Sequence, residues 1–285
     1  MKLNNKGFAI SVILYSMIIL VIGIMYLLLN IVNTRYKLTK ENKEEVVEYI
    51  NSQGINTVTD EFANKLAVNK VINTGLLNCQ GNNCYYYGND PSNYVKFNNE
   101  LWRIIGVMSM GGNRYLKIVR NNFLLLETVD TNKFSMSNVF SYLNSNYYNS
   151  LGTSKKFVAS VKWYNSEYAT NLTPFNAYNE ELVSTSYKTG YIGIINGSDF
   201  GFAASSSYTT NNLSNYSSSI NDNWLATTYD YLTMSYSSNK INIVSNGNLI
   251  SSDITETYIY PSLYLNKDIF ITSGTGTSVD PYILG

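Results

Sequence analysis

The sequence predicts an α+β protein in which a long N-terminal membrane-spanning helix precedes an extracellular, mostly antiparallel α+β head. Residues 8–32 form a run of 25 residues without a charge, which is long enough for a membrane-crossing helix. From Tyr94 onward, short β-branched and aromatic runs alternate with Asn- and Gly-rich turns, the pattern of antiparallel strands. The chain therefore divides into a leader (1–7), a transmembrane helix (8–33), a helical stalk (34–75) and an extracellular α+β head domain (76–285).

The composition of the chain excludes several classes of protein. Its 285 residues include 20 basic and 20 acidic side chains, so no basic face for nucleic acid is expected. The chain has no histidine, which removes His-dependent catalysis and most zinc sites. Asp199, Asp222 and Asp230 lack the spacing of a calcium loop. We expect no enzyme activity, no cofactor and no metal; a pair of carboxylates is the one route to catalysis left open.

The apolar run of residues 8–32 has two alternatives to a retained membrane helix. A buried core helix of this length would need a far larger protein around it. A cleavable secretory signal has an apolar region of about 7–15 residues followed by small residues. Here the run is longer and ends in Asn30, Asn33 and Thr34, which favours a retained helix.

The residues before the apolar run are more specific. Residues 1–7 are a short, basic, polar leader that ends on Gly7, and Phe8 opens the apolar run directly. This arrangement resembles the amino terminus of type IV pilins and pseudopilins. The resemblance implies that a prepilin peptidase cuts between Gly7 and Phe8 and that Phe8 is then methylated. It also implies a single-pass protein of the cell membrane, cytoplasmic at its N-terminus before processing and extracellular in its head, alone or within a pilus.

Two observations modify this expectation. Val12 stands where the family usually has a glutamate that pairs with a neighbouring subunit, which favours a minor pilin or pseudopilin over a major one. Four basic residues between positions 35 and 43 favour the opposite orientation by charge counting. The leader and the cysteines favour an outward head.

Cys79 and Cys84 are the only cysteines and enclose a turn with Gly and Asn. A metal site would need further ligands, and the chain has no third cysteine. We therefore predict an extracytoplasmic disulfide at the start of the head. Before it, residues 34–50 continue the first helix, and residues 60–73 form a second helix capped by Thr59.

The head is predicted to begin with a meander. Residues 94–97 and 101–107 flank the turn Asn98-Asn99, and residues 115–119 form the third strand. A helix over residues 137–151 is capped by Ser137. Further strands are predicted at 190–195, 240–244, 249–250, 258–265 and 269–272. Residues 245–248 are the predicted hairpin turn between the strands 240–244 and 249–250.

Four segments of the head follow an order found in surface proteins of low-GC Gram-positive bacteria: YVKFNNELWRIIGV, GYIGIINGSDFGFA, NWLATTYDYLTMS and YIYPSLYLNKDIFITSGTGTSVDPYIL. They resemble modules that are distantly similar to the C-type-lectin-like fold. The resemblance covers about residues 76–285 and implies ligand binding, since the catalytic cysteine pair of the enzyme branch of that fold has no counterpart here.

Trp163 and Trp224 are candidate ligand-binding residues, because they lie in polar stretches and aromatic faces stack on sugars or anchor protein partners. Trp102, between strand residues, is predicted to lie in the core. Residues 198–223 are rich in Ser, Tyr, Thr and Asn, and Tyr208 and Tyr216 within them are further candidates. The alternative for this segment is a long surface loop without a binding role.

These expectations combine into a pilin-like, membrane-anchored surface protein that displays its head for adhesion or ligand binding. A carbohydrate or a protein is the expected ligand, and other pilin subunits are expected partners. The alternative is a non-polymerising cell-envelope receptor or a carboxylate-based enzyme domain.

Overall fold

The computed structural model describes residues 15, 17–26, 29, 77–80, 83–126, 129–130, 134, 137–253, 257–266, 269 and 271–284. The chain divides into two compact units, Met1–Gln53 and Gly54–Gly285. The predictions for the leader with Gly7 and Phe8, for Val12 and for the stalk lie outside the described residues and stay predictions.

In the N-terminal unit, residues 17–26 are α-helical. Their apolar side chains, together with Tyr15 and Leu29, are between 47 and 70% exposed. Among the described residues, no helix combines the length and apolar character needed to cross a membrane.

In the second unit, the described residues form strands and a few short helices. The strands are β1 (Leu77–Gln80), β2 (Asn83–Tyr86), β3 (Tyr94–Phe97), β4 (Glu100–Met110), β5 (Asn113–Arg120), β6 (Leu124–Leu126), β7 (Val161–Tyr164), β8 (Ser166–Glu167), β9 (Tyr187–Gly190), β10 (Ile192–Gly193), β11 (Tyr231–Ser237), β12 (Lys240–Ser245), β13 (Asn248–Ser252), β14 (Thr257–Ile259), β15 (Ser262–Leu265), β16 (Ile271–Ser273) and β17 (Tyr282–Leu284).

The helices lie between the strands. Helix α1 consists of the α-helical segments Asn138–Tyr142 and Tyr148–Ser150 joined by the π-helical segment Leu143–Tyr147. Helices α2 and α3 cover Pro174–Val183 and Gly197–Phe202. Short 3₁₀ segments cover Gly152–Phe157, Ser206–Tyr208, Leu213–Asn215 and Ser217–Asp222.

The described strands form three sheets. A nine-stranded sheet has the order β10-β15-β5-β4-β3-β17-β16, with β2 also paired to β4 and β1 to β2. A six-stranded sheet has the order β13-β12-β11-β14-β6, with β8 paired to β11, and β7 pairs with β9. Between the strands of the described part, parallel pairing is limited to β17–β3, β11–β14 and β11–β8. The predicted α+β class with mostly antiparallel sheets is confirmed.

The predicted hairpins form where the sequence has turn residues that tolerate a positive φ. Asn98 and Asn99 have φ of 51° and 60° between β3 and β4. Asn246 and Gly247 have φ of 48° and 73° between β12 and β13. Positive φ at both central residues fits the twist of the flanking strands.

The predicted disulfide is also present. Cys79 and Cys84 are direct partners in the β1–β2 pair and are joined by an S–S bond. With a sequence separation of 5, the bond fixes this local hairpin and no long-range contact.

Three predicted elements differ in detail. The strand predicted at 258–265 is two strands, β14 and β15, which belong to different sheets; Pro261 between them has no N–H to continue a ladder. The strand predicted at 190–195 is reduced to Ile192–Gly193. The helix predicted at 137–151 is present with Ser137 as its cap, since the Ser137 side chain accepts from the Phe140 N–H, but its middle is π-helical.

The nine-stranded sheet lies between two hydrophobic clusters. Side chains alternate between faces along a strand, and Ile104 and Ile105 of β4 accordingly belong to different clusters. Trp102 is 0% exposed, which confirms its predicted place in the core. Phe200 and Phe202 of α3 fill the second cluster, so this helix is fixed against the sheet.

Candidate functional site

The candidate site lies on the nine-stranded sheet, where neighbouring strands place one residue each side by side. Tyr85 of β2 pairs with Gly106 of β4, and Gly106 pairs with Lys117 of β5. Lys117 in turn pairs with Tyr264 of β15. Paired residues share a face, so Lys117 lies between a tyrosine and a residue without a side chain. Gly106 is required there, because an added Cβ would lie 2.0 Å from the Cys84 carbonyl oxygen.

Lys117 forms a buried ion pair with Asp199. The Lys117 Nζ lies 2.5 Å from the Asp199 Oδ2, and each side chain is 2% exposed. Asp199 is in the first turn of α3, where its Oδ2 also accepts the backbone N–H of Asn196 at 2.7 Å. Burial lowers the pKa of the Lys117 ammonium, but Asp199, Tyr264 and Glu181 together outweigh burial, and the net pKa lies above its ordinary value.

Glu181 of α2 is a second buried carboxylate beside this pair. Its Oε1 accepts the Tyr168 hydroxyl at 2.7 Å and the Ser198 N–H at 3.1 Å. Its Oε2 accepts the Asn196 amide at 3.2 Å and the Ser198 hydroxyl. Burial and, next, the Asp199 carboxylate raise the pKa of Glu181 to about 7, against the lowering effect of these hydrogen bonds.

A pocket of about 650 Å³ opens onto this cluster. Such a volume is within the range of about 300–1,000 Å³ typical of small-molecule sites. Lys117, Asp199 and Glu181 are buried at its base, and Lys162 and Ser160 are exposed at its rim. Six aromatic residues line it, namely Tyr85, Tyr115, Trp163, Tyr164, Tyr178 and Tyr264. The pocket thus combines aromatic rings with charged and polar groups.

Trp163 of β7 is the predicted candidate that the structure brings to this pocket. Its ring lies on the backbone of Gly193, where an added Cβ would approach the ring to 2.2 Å, and its Nε1 donates to the Gly190 carbonyl. The Lys117 Nζ lies 6.0 Å from the centre of the Trp163 ring. The ring is 2% exposed, so it forms a fixed wall and not a displayed surface.

The other predicted candidates lie away from the pocket. Trp224 is buried at 8% exposure, with its Nε1 donating to the Tyr86 carbonyl and its ring under the Arg103 guanidinium. Tyr216 is 0% exposed and donates to the Gly201 carbonyl, while Tyr208 is half-buried against it. The rings of Trp224 and Tyr216 are thus used for internal packing, and a ligand-binding role for these residues stays a prediction.

The segment 198–223 is likewise not a surface loop. Phe200, Phe202 and Leu213 are each 0% exposed, and the Asn223 side chain donates to the Phe200 carbonyl. The Ser- and Tyr-rich composition gave no indication of the helix and short turns in this segment, which help to form the second core cluster.

Of the three ionisable residues of the site, the sequence pointed only to Asp199, as a calcium ligand without the right spacing, and not to Lys117 or Glu181. Lys117 is a single lysine between Leu116 and Ile118 in a predicted strand. Such a lysine is usually explained by a position that faces solvent, so the sequence alone did not mark it as a site residue. Helix α2, which carries Glu181, was missed although Thr173 caps it and Pro174 is its first residue, a recognisable start signal.

Comparison with protein families, with curated proteins and with solved structures gives no significant match. Function must therefore be inferred from the geometry of the described residues.

Proposed function

We propose that the protein is a pilin-like, membrane-anchored surface protein whose head binds a saccharide in the aromatic pocket. The observation that supports this most directly is the pocket itself, where rings and hydrogen-bonding groups occur together. Tyr164 and Tyr178 are half-buried at its wall, and Asn83, Asn113 and Ser109 add amide and hydroxyl groups. Sugars present apolar faces and hydroxyl edges, which match rings and such groups respectively.

Binding accounts for the site better than hydrolysis. Glycoside hydrolysis needs a carboxyl group free to protonate the leaving oxygen. Both oxygens of Glu181 already accept two protein hydrogen bonds each. Asp199 is paired with Lys117 through Oδ2. Both carboxylates are thus already engaged in hydrogen bonds or an ion pair within the protein, which disfavours the carboxylate-based enzyme alternative.

The N-terminal residues support the anchored, pilin-like part of the proposal. The apolar side chains of residues 17–26 are at least 47% exposed on all sides of the helix. A helix that is apolar all round needs lipid or partner helices around it. The leader that ends at Gly7-Phe8 supplies the resemblance to prepilins. For residues 76–285 we propose an outward head with a C-type-lectin-like fold.

The ligand proposal is tested with a pair of matched variants. Tyr164 and Tyr187 are direct cross-strand partners with ring centres 5.5 Å apart, but only Tyr164 lines the pocket. Full-length protein in detergent is screened on a glycan array, and the affinity for the best sugar is measured by calorimetry. We expect Tyr164→Ala to weaken binding about tenfold, or about 1.4 kcal/mol, and Tyr187→Ala to have a small effect. Equal losses, or no sugar bound by the unaltered protein, would contradict the proposal.

Processing is tested separately by N-terminal peptide mass spectrometry on membrane-extracted protein from its host. A chain that begins at methylated Phe8 supports the pilin-like proposal. An intact leader through Gly7 would favour the non-polymerising envelope receptor.

A further inference from the structure

The pair Lys117–Asp199 places a primary amine against a carboxyl group in a buried setting. The two residues are on different elements, β5 and α3, and are 82 positions apart in the chain. Their 2.5 Å contact leaves the lysine nitrogen next to the carboxyl carbon. Well-oriented reacting groups within one molecule reach effective concentrations of about 10⁵–10⁸ M.

The ionised form is the main form of the pair, but burial of both groups lowers the free-energy difference between it and a neutral pair. Each side chain is 2% exposed, so neither charge is solvated by bulk water. Moving one proton along the Lys117–Asp199 hydrogen bond converts the ammonium and carboxylate into an amine and a carboxylic acid without any net change of charge. The amine is then a nucleophile that is already in position.

The surroundings of Asp199 also assist attack at its carboxyl carbon. The Asn196 N–H donates to the Asp199 Oδ2 at 2.7 Å, so the oxygen that receives the Lys117 proton and leaves as water is held in a fixed position. Glu181 is a positioning residue, because it accepts hydrogen bonds from Asn196 and Ser198, which precede Asp199 in the turn that begins α3.

We propose that Lys117 and Asp199 condense spontaneously into an intramolecular amide that cross-links the head. The bond that forms joins the Lys117 Nζ to the Asp199 Cγ, and the bond that breaks joins this Cγ to one carboxyl oxygen. That oxygen leaves as water with the two protons lost from the ammonium, so the amide retains one N–H and the step needs no oxidant, reductant or co-reactant. The water has an exit, since both residues line the open pocket.

The cross-link would join parts of the head that the disulfide does not. Cys79–Cys84 closes a loop with a sequence separation of 5, whereas Lys117–Asp199 spans 82. It ties the middle of the nine-stranded sheet to α3, which packs on β11 and β12 of the six-stranded sheet. The proposal is independent of the saccharide proposed for the pocket.

The chain contains its own control. Lys240 and Asp253 also form a Lys–Asp pair, with a contact of 2.6 Å, but their side chains are 47% and 73% exposed. Water stabilises both charges there, so no reaction is expected although the distance is almost the same.

The test is the mass of the denatured, reduced full-length chain, expressed in a heterologous bacterium and extracted in detergent. We expect a mass lower than that of the sequence by one water, with tandem mass spectrometry assigning the loss to a branched peptide that joins residues 117 and 199. Residues 240 and 253 should be found in linear peptides.

Variants complete the test. Lys117→Arg preserves the positive charge but offers a guanidinium that stays protonated, and Asp199→Ala removes the carboxyl; both chains should have their full sequence mass. An unaltered chain at full sequence mass, or a water loss that maps to other residues, would overturn the proposal even if neither variant folded.

Discussion

The two Lys–Asp pairs of the head have nearly the same contact distance but differ in how deeply their side chains are buried. Lys117–Asp199 is 2.5 Å long with both side chains 2% exposed, and Lys240–Asp253 is 2.6 Å long with side chains 47% and 73% exposed. In the first pair the charges depend on each other for stabilisation, and in the second pair water stabilises each charge alone. Burial, not distance, therefore decides what each pair contributes to stability and which reaction it can undergo.

The largest expected effect comes from removing one partner of the buried pair. Asp199→Ala leaves the Lys117 charge without its carboxylate at 2% exposure. Breaking a buried pair in this way costs about 3–5 kcal/mol in the free energy of unfolding, and loss of the proposed cross-link would add to this. The measurement is urea unfolding followed by tryptophan fluorescence.

Asp253→Ala is the matched control for that experiment. It removes the same chemical group from a pair of almost the same length, and its cost should be at most about 1 kcal/mol. If the two variants lose similar stability, burial is not the determining difference between the pairs.

The second prediction concerns Glu181, the carboxylate next to the buried pair. Its pKa of about 7 in the folded head lies above its ordinary value of 4.5, so the folded head binds more protons than the unfolded chain between these values. The stabilising contribution is fully present below pH 4.5 and is lost as the pH rises through 7. At about 1.4 kcal/mol per pKa unit, stability should fall by up to about 3 kcal/mol between pH 5 and pH 8.

The groups that face Glu181 do not obscure this measurement. Burial, then the Glu181 and Asp199 charges, raise the pKa of Tyr168 well above its ordinary value, so its hydroxyl stays protonated in this range. Lys117 stays charged while it is paired, and the chain has no histidine. Burial, the larger cause of the Glu181 shift, acts whether Asp199 is a free carboxylate or an amide. Glu181→Gln should flatten the pH profile; an unchanged profile would assign the effect to another group.

The third prediction concerns an ion pair whose burial is intermediate between those of the two Lys–Asp pairs. Arg120 and Glu100 form a bidentate pair at 2.9 and 3.1 Å with side chains 17% and 31% exposed, and the Tyr147 hydroxyl also donates to Glu100. Hydrogen bonds to a charged group in this setting contribute about 1.5–3 kcal/mol. Glu100→Ala should therefore cost less than Asp199→Ala and more than Asp253→Ala in urea unfolding. Any other order would break the relation between burial and stability.

What could be predicted from the sequence depends on whether a feature is formed by adjacent residues or by residues far apart in the chain. The Asn98-Asn99 and Asn246-Gly247 hairpins depend on residues adjacent in the chain, so local turn chemistry identified them. The contact between Lys117 and Asp199 joins positions 82 apart, and alternation along β5 is equally compatible with a solvent-facing lysine. The charged base of the pocket is thus a property of the sheet pairing and the packing of α3, which no single segment encodes.

The smallest expected effect is the response of the two pairs to salt. At about 1 M salt the screening length falls to about 3 Å, so the contribution of an exposed pair is largely lost and that of a buried pair is largely retained. The stability difference between Asp253→Ala and the unaltered protein should therefore shrink towards zero between low and high salt, while the difference for Asp199→Ala should remain. Because both measurements use the same protein and the same denaturant, general effects of salt on folding cancel. A salt-sensitive loss at Asp199 would mean that water reaches this pair, which would also remove the basis for its condensation.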